Sequence, residues 1–394
     1  MEYLLSDIFE KPISGEWGKD VDKGIKGFKV IRTTNFTNLG RLNLGNIVFR
    51  DIDKEKYENK QLKFGDIIIE KSGGSPTQPV GRTVIFEVTD NEIYFCNNFT
   101  SILRPNDKVN SKYALYLMMN LYNKRKVLKY QNKTTGIINL KLSDYIRSTK
   151  VDIPNVEIQK KIASVLDKAQ ELINKRKEQI EALDELVKSR FIEMFGNFKE
   201  QKFVLLKDCT NFIDYRGKTP ILSENGIRII NAKSVGNGVF KYINEYISEN
   251  TYNSWMKRGF PVAGDVLFVT EGHTFGNVCR IPKDLKKFAM GQRIITIQGD
   301  KKILNNAFLA QYMQTKAFRV EIDKYKTGSS AQGIRSKELQ KILIPVPSIE
   351  LQNKFEEFVN QVDKLKVGIK ISLKELEDNF NSLMQKAFKG ELFN

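Results

Sequence analysis

The sequence predicts an α+β protein. Two similar strand-rich globular heads are joined by two long antiparallel helices that form a coiled-coil spacer, giving a pseudo-twofold internal repeat. Three observations lead there. Residues 113–195 fall on residues 306–388 at a fixed offset of 193: Ala114 meets Ala307, Lys133-Thr134 meets Lys326-Thr327, Ser143 meets Ser336, Pro154 meets Pro347, Gln159 meets Gln352 and Leu183 meets Leu376. Each copy ends in an apolar ladder that steps alternately by four and three, the 3.5-residue period of a coiled coil. Charge divides along the same lines. The chain carries 64 Lys and Arg against 47 Asp and Glu, a net +17. Residues 1–153 hold +7 and residues 201–345 hold +11, whereas 154–200 and 346–394 together carry −1.

The chain divides into a first head (1–153), a central helix (154–199), a second head (200–346) and a C-terminal helix (347–394). In head one, Leu62–Glu70 reads as a Gly-Asp turn entering a β-branched, buried strand. Val84–Val88 and Ile93–Cys96 are further strands, and residues 112–130 place Tyr113, Leu117, Leu121 and Leu128 at helical spacing. Head two repeats this with Gly264–Thr270, a strand over Arg293–Ile297 and a helix over 306–325. Pro154-Asn155 and Pro347-Ser348 precede the long helices. Asn155 and Ser348 are good N-caps, and Glu157 and Glu350 favour the helix dipole. Gly196 and Gly390 stand where the helices should stop. Each helix then runs about 39 residues, or roughly 58 Å. The seam residues are Ile162, Leu166, Ile173, Ile180, Leu183 and Val187, facing Phe355, Val359, Val362, Ile369, Leu373, Leu376 and Phe380. Arg176, Arg190 and Lys366 interrupt the seam; such residues either fix register or snorkel to the surface.

Catalytic chemistry is sparse. The single His273 cannot form a metal cluster, and no Ser-His-Asp order emerges. Gly217-Lys218-Thr219 resembles the end of a P-loop, but Phe212 occupies the place of the required glycine. Cys96, Cys209 and Cys279 define neither a disulfide framework nor a zinc site. No signal peptide or membrane-length apolar run is present, so the expected compartment is the cytoplasm. A basic excess confined to folded heads suits a polyanion, nucleic acid first; a lysine-rich background would have made the helices basic too. The heads also carry glycine-punctuated polar loops: Glu70–Gln78 leading to Gly81-Arg82, Thr270–Asn277, Lys133–Gly136 and Lys326–Arg335. Glycine permits close approach to phosphate, and Lys, Arg, Ser and Thr donate to its oxygens, while Gln, Asn, Arg and His can read base edges.

The pattern resembles the DNA-specificity subunits of type I restriction-modification systems. The most specific pieces are Ile153–Gln159 and Ile344–Gln352, each closing a head and opening a long helix. Ile31–Phe36, the Glu70–Arg82 loop, Gly264–Asn277 and Gly291-Gln292-Arg293 are also similar to stretches of such subunits. The resemblance implies that each head is a target-recognition domain for one half of a split, asymmetric site in double-stranded DNA. It implies helices that set the gap and dock two methyltransferase subunits, to which restriction subunits add. The chain is then a non-catalytic subunit without a cofactor of its own, its partners using S-adenosylmethionine, ATP and Mg. Head one lacks the Arg216-Gly217-Lys218-Thr219-Pro220 motif of head two. The candidate DNA-contacting residues of head one are Arg32, Thr33, Thr34, Asn35, Lys71, Ser72, Gly73, Gln78, Arg82, Asn98, Lys133 and Thr134. Those of head two are Arg216, Lys218, Thr219, Lys233, Thr270, Glu271, His273, Thr274, Gln292, Arg293, Lys326, Ser329, Ser330, Gln332 and Arg335. The rival classes are a stand-alone nuclease and a coiled-coil scaffold.

Overall fold

The computed structural model describes residues 2–22, 27–75, 77–134, 137–196, 198, 201–217, 219–328 and 332–393, with the side chains of Lys133 and Thr134 left out. The chain forms two compact units. One comprises residues 1–176 with 372–394, and the other residues 177–371. Each contains one head together with a part of each long helix.

The two heads share one topology. In unit 1 a four-stranded antiparallel sheet has the spatial order Ile13–Ser14, Thr100–Leu103, Ile67–Glu70, Thr83–Ile85. In unit 2 the order is Thr210–Asp214, Ile294–Gly299, Val266–Val269, Val278–Arg280. A three-stranded sheet accompanies each: Phe28–Ile31 lies between Val48–Arg50 and Tyr94–Cys96, and Ile227–Ile230 between Tyr246–Ile247 and Ala289–Met290. The last pairing of each trio is parallel. Ile67-Ile68-Ile69 and Val266-Leu267-Phe268-Val269 are buried on both faces, as their unbroken apolar character requires.

The Gly-Asp turn before each central strand is anchored by its carboxylate. Asp66 accepts from Lys63 N (2.7 Å) and takes a two-pronged contact from Arg104 (2.8 and 2.8 Å). Asp265 accepts from Val262 N (2.8 Å), but Gln298 stands in the place of Arg104 and donates at 2.7 Å. Burial raises the Asp265 pKa above the ordinary carboxylate value, outweighing its hydrogen bonds and the charge of Lys301, which pull the other way.

Two expected helices are shorter. The helix expected over 112–130 is Ser111–Asn123; Arg125 adopts φ +56° and a 3-10 turn follows, leaving Leu128 exposed. The helix expected over 306–325 is broken into Asn306–Tyr312 and Lys316–Asp323, because Thr315 caps the second piece by accepting from Phe318 N.

The long helices span Val156–Phe195 and Ile349–Ala387, 40 and 39 residues. Asn155 accepts from Ile158 N (3.0 Å) and Ser348 from Leu351 N (3.4 Å). Gly196 follows the first helix directly, and Gly390 adopts φ +79° after the second. Inside unit 1, Ile162, Ala163 and Leu166 share the head's core with Met384 and Ala387. Inside unit 2, the Phe355 ring packs on Phe191 and Phe195 (centroids 5.3 and 5.6 Å), and Lys366 pairs with Asp184 eleven residues on. Rising numbers on one helix meet falling numbers on the other, so the pair is antiparallel. Lys366 therefore bridges the helices, and Arg190 lies over the Phe358 ring at 6.0 Å. Seam burial is uneven: Ile162, Leu166, Ile173, Val187, Phe355, Val359 and Val362 are buried. Ile180, Leu183, Ile369, Leu373, Leu376 and Phe380 are only half-buried, since a two-helix seam has no third layer over it.

One side chain locks each helix to its head. Gln159, fully buried, accepts from Asn110 N (2.8 Å) and donates to the carbonyls of Lys108 (3.0 Å) and Pro154 (2.9 Å). Gln352 repeats this with Asn305 N (2.8 Å), Ile303 O (3.0 Å) and Pro347 O (2.8 Å). Asn110 and Asn305 are themselves N-caps of the following head helix. Gln352→Leu strands one backbone N–H and two carbonyls beside a fully buried side chain, and urea unfolding is expected to show a loss on the order of 2–4 kcal/mol; an unchanged midpoint would refute the lock. Asp265 supplies a second expectation. Its raised pKa favours folding at acid pH, a contribution lost as pH rises through the folded value. Gln298→Arg should therefore stabilise the chain at neutral pH and do little below the carboxylate range, a contrast read from unfolding midpoints at the two pH values.

Candidate functional site

The ends of the four-stranded sheets decide where the polar loops meet. Glu70 pairs with Thr100, and Ser14 with Ser101, so one strand exit, one strand entry and the end of a third strand lie together. Unit 2 repeats this with Val269 against Ile294 and Asp214 against Ile295. The loops that leave these ends are stitched to one another by backbone hydrogen bonds. In unit 1, Lys71 N and Ser72 N donate to Phe99 O (2.9 and 3.2 Å), and Ser72-Gly73 pairs with Ile138-Asn139 of the 131–140 ribbon. Asn97 N donates to Ile31 O (2.9 Å) and Arg82 to Thr33 O (3.4 Å). In unit 2, Thr270 N donates to Arg293 O (2.9 Å), Gly272 N to Gln332 O (3.0 Å) and Ile334 N to Thr270 O (2.9 Å). Gly291 N donates to Ile230 O (2.6 Å), and the Asn277 amide to Val235 O (3.1 Å). Each head thus gathers the same four segments into one cluster.

Within each cluster some candidate residues frame the loops and others face outward. Asn35 is buried; it accepts from Arg32 N (2.9 Å) and donates to Asn43 O (2.9 Å). Arg32 donates to Asn46 O (2.8 Å). Arg82 holds the buried Glu70 with two prongs (2.9 and 3.1 Å). Lys71 donates to Ser14 Oγ (2.6 Å), and burial lowers its pKa. Ser72 donates to Asn139 Oδ1 (2.6 Å), and Gly73 takes φ +112°. Thr33 is half-buried; Thr34, Gln78 and Asn98 are exposed. The strand Gln131–Thr134 is in place, but the Lys133 and Thr134 side chains lie outside the described residues.

In unit 2, Thr270 is fully buried and its hydroxyl donates to Arg293 O (3.2 Å). Arg216 grips Asp214 (2.9 and 2.6 Å); burial opposes, but this fork and a backbone N–H outweigh it and hold Asp214 below the usual carboxylate range. Lys233 pairs with Glu245 (2.5 Å) and lowers its pKa. Gln292 and Gln332 are half-buried. Thr219, Glu271, His273, Thr274, Arg293, Lys326 and Arg335 are exposed, Lys326 pairing with Asp323 (3.2 Å) and Arg293 lying 3.6 Å from Glu271. Lys218, Ser329 and Ser330 lie outside the described residues. Sequence reasoning missed Phe99, exposed next to the candidate Asn98, with its carbonyl accepting from Lys71 N. It also missed Asp167, where Arg41 (2.8 Å), Lys112 (2.7 Å) and Tyr116 (2.6 Å) fasten head one to the central helix. Among the described residues no group of His, Cys, Asp and Glu could hold a metal, and no helix is long and apolar enough to cross a membrane.

The family model described as "Type I restriction modification DNA specificity domain" matches residues 1–182 and again 199–376. A curated relative is the type I restriction enzyme MjaVIII specificity subunit of Methanocaldococcus jannaschii, 27% identical over 286 residues, 67% of this chain and 66% of the relative. A second is the putative MjaX specificity subunit of the same organism, 24% identical over 95% of this chain and 88% of its own. In fold, the chain is similar to the crystal structure of a type I restriction-modification S subunit from M. genitalium, with a TM-score of 0.56 at 17% identity, covering 98% and 96% of the two chains.

Framing and presenting residues should separate in the laboratory. Asn35→Ala removes two buried hydrogen bonds and is expected to cost about 1–3 kcal/mol. Asn98→Ala, at an exposed turn, should stay within ~0.5 kcal/mol. Equal effects in urea unfolding would contradict the division.

Proposed function

The chain belongs to the type I restriction-modification DNA specificity family, and on that footing we propose that it is the sequence-reading subunit of a type I complex. Each loop cluster binds one half of a bipartite, asymmetric DNA site, and the helix pair sets the gap. The observation that carries this reading is the repeated cluster: one stitched frame on both basic heads, with different side chains facing outward. A common frame with divergent loops is what an asymmetric target on a pseudo-symmetric protein needs. Lys and Arg around the clusters hold phosphates without regard to sequence, and the exposed Gln78, Asn98, His273 and Arg293 have the donors to read base edges. Asn35, Glu70, Arg82 and Thr270 act beneath them, holding the loops in shape.

The outer faces of the helices carry apolar side chains that the seam does not use. Leu172, Leu186, Ile192, Leu365, Val367 and Ile371 are about half or more exposed. These suit docking of two methyltransferase subunits, with restriction subunits joining in turn. Catalysis then belongs to the partners, which use S-adenosylmethionine, ATP and Mg, and this chain binds no cofactor of its own.

Methylated adenines mapped in cells expressing the chain with its partners should fall in one two-part motif with a fixed gap; their absence would sink the reading. Deleting one heptad from both helices shortens the spacer by about 10 Å, or about three base pairs at ~3.4 Å each. The gap should shrink accordingly with both half-sites unchanged.

A further inference from the structure

Pairing the heads strand by strand reveals an equivalence that the offset of 193 hides. Ile31 pairs with Cys96 as Ile230 pairs with Met290, and Glu70 pairs with Thr100 as Val269 pairs with Ile294. The turn between these anchors is Asn97-Asn98-Phe99 in head one and Gly291-Gln292-Arg293 in head two. Its last carbonyl has one job in both. Phe99 O accepts from Lys71 N and Ser72 N, and Arg293 O accepts from Thr270 N and from the Thr270 hydroxyl. With that carbonyl held alike, Phe99 and Arg293 occupy equivalent positions at the centre of their clusters, though only Arg293 has a positive φ. Both point into solvent, the Phe99 residue 48% exposed and the Arg293 side chain 61% exposed. Arg293 is held at φ +65°, a strained backbone for a non-glycine residue, and Glu271 lies beside its guanidinium. Ile137, on the ribbon that pairs with Ser72-Gly73, is also about half exposed.

A position filled by phenylalanine in one head is no phosphate anchor there. In a DNA groove the apolar partners on offer are the thymine methyl group and the faces of an opened base step. Arginine at the same point matches the paired O6 and N7 acceptors of guanine. Resting on the DNA-reading function above, we propose that Phe99 and Arg293 are equivalent specificity-determining residues. Phe99 reads its half-site by apolar contact with a base, and Arg293 reads the other by hydrogen bonds to guanine. The two heads thus discriminate by different physics at one shared position.

The test uses the full chain assembled with its modification subunits. Once the wild-type motif is mapped, Phe99→Ala should relax one base position in one half-site only, lowering discrimination there roughly 5- to 150-fold. Arg293→Ala should relax one guanine position in the other half-site by a similar factor. Phe99→Leu keeps apolar bulk, serves as the folding control and should retain part of the discrimination. In binding assays, uracil for thymine at the Phe99 position should copy Phe99→Ala if the methyl is read. A rise in 2-aminopurine fluorescence there should appear instead if the ring opens a base step. Guanine replaced by 7-deazaguanine should copy Arg293→Ala. The proposal is overturned if Phe99→Ala leaves the motif unchanged, relaxes both half-sites alike, or weakens all sequences equally. A wild-type complex without any two-part motif would instead overturn the function on which the proposal rests.

Discussion

Everything in this molecule hangs on a buried glutamine used twice. Gln159 and Gln352 each satisfy one backbone N–H and two carbonyls at the junction where a head becomes a helix. A leucine there would pack as well but leave three backbone groups without their partner. An amide has the one acceptor and two donors that the junction requires. The bonds fix where the head's own helix begins, through its capping asparagine, and where the long helix begins, through the carbonyl of the proline before it. The angle between head and helix then becomes a property of the backbone and not of side-chain packing that could drift.

On that rigid junction the rest can vary. The head cores run without a break into the helices, through Leu166 and Ala387 in one unit and through Phe191, Phe195 and Phe355 in the other. The loop clusters sit at sheet ends, where no packing layer constrains the side chains. Charge is used differently at the two levels. Glu70, Asp66 and Asp214 are tied to arginines within their own heads. Arg293 and Arg335 remain exposed at the surface, Arg293 beside the exposed Glu271. A cation locked to a buried carboxylate shapes a loop; a cation at its tip is available to a partner.

The long helices, their caps and the repeat were legible in the sequence because coiled-coil periodicity is local and survives without knowledge of the fold. Helix breaks at Arg125 and Thr315 were not, since apolar spacing continues through both and only a backbone cap decides. Asn35 and Thr270 look like DNA-reading residues by type. Burial turns them inward, and type alone says nothing of which face a loop residue takes. Phe99 escaped notice for the opposite reason: an aromatic residue beside a strand reads as core. Its equivalence to Arg293 depends on strand pairing at an offset of 194, where the repeat no longer keeps its helical register.

By itself the sequence determined the duplication, the class of architecture, the placement of positive charge and the family, because each is a matter of composition, period or short motif along the chain. Only the tertiary structure decided which side chains frame a loop and which face outward, and which positions in the two heads correspond. Many of those facts follow from pairings between residues far apart in sequence, such as Ser72 to Asn139 and Lys71 to Ser14. Pairings of that range arise when strands are brought side by side, and no local pattern encodes them.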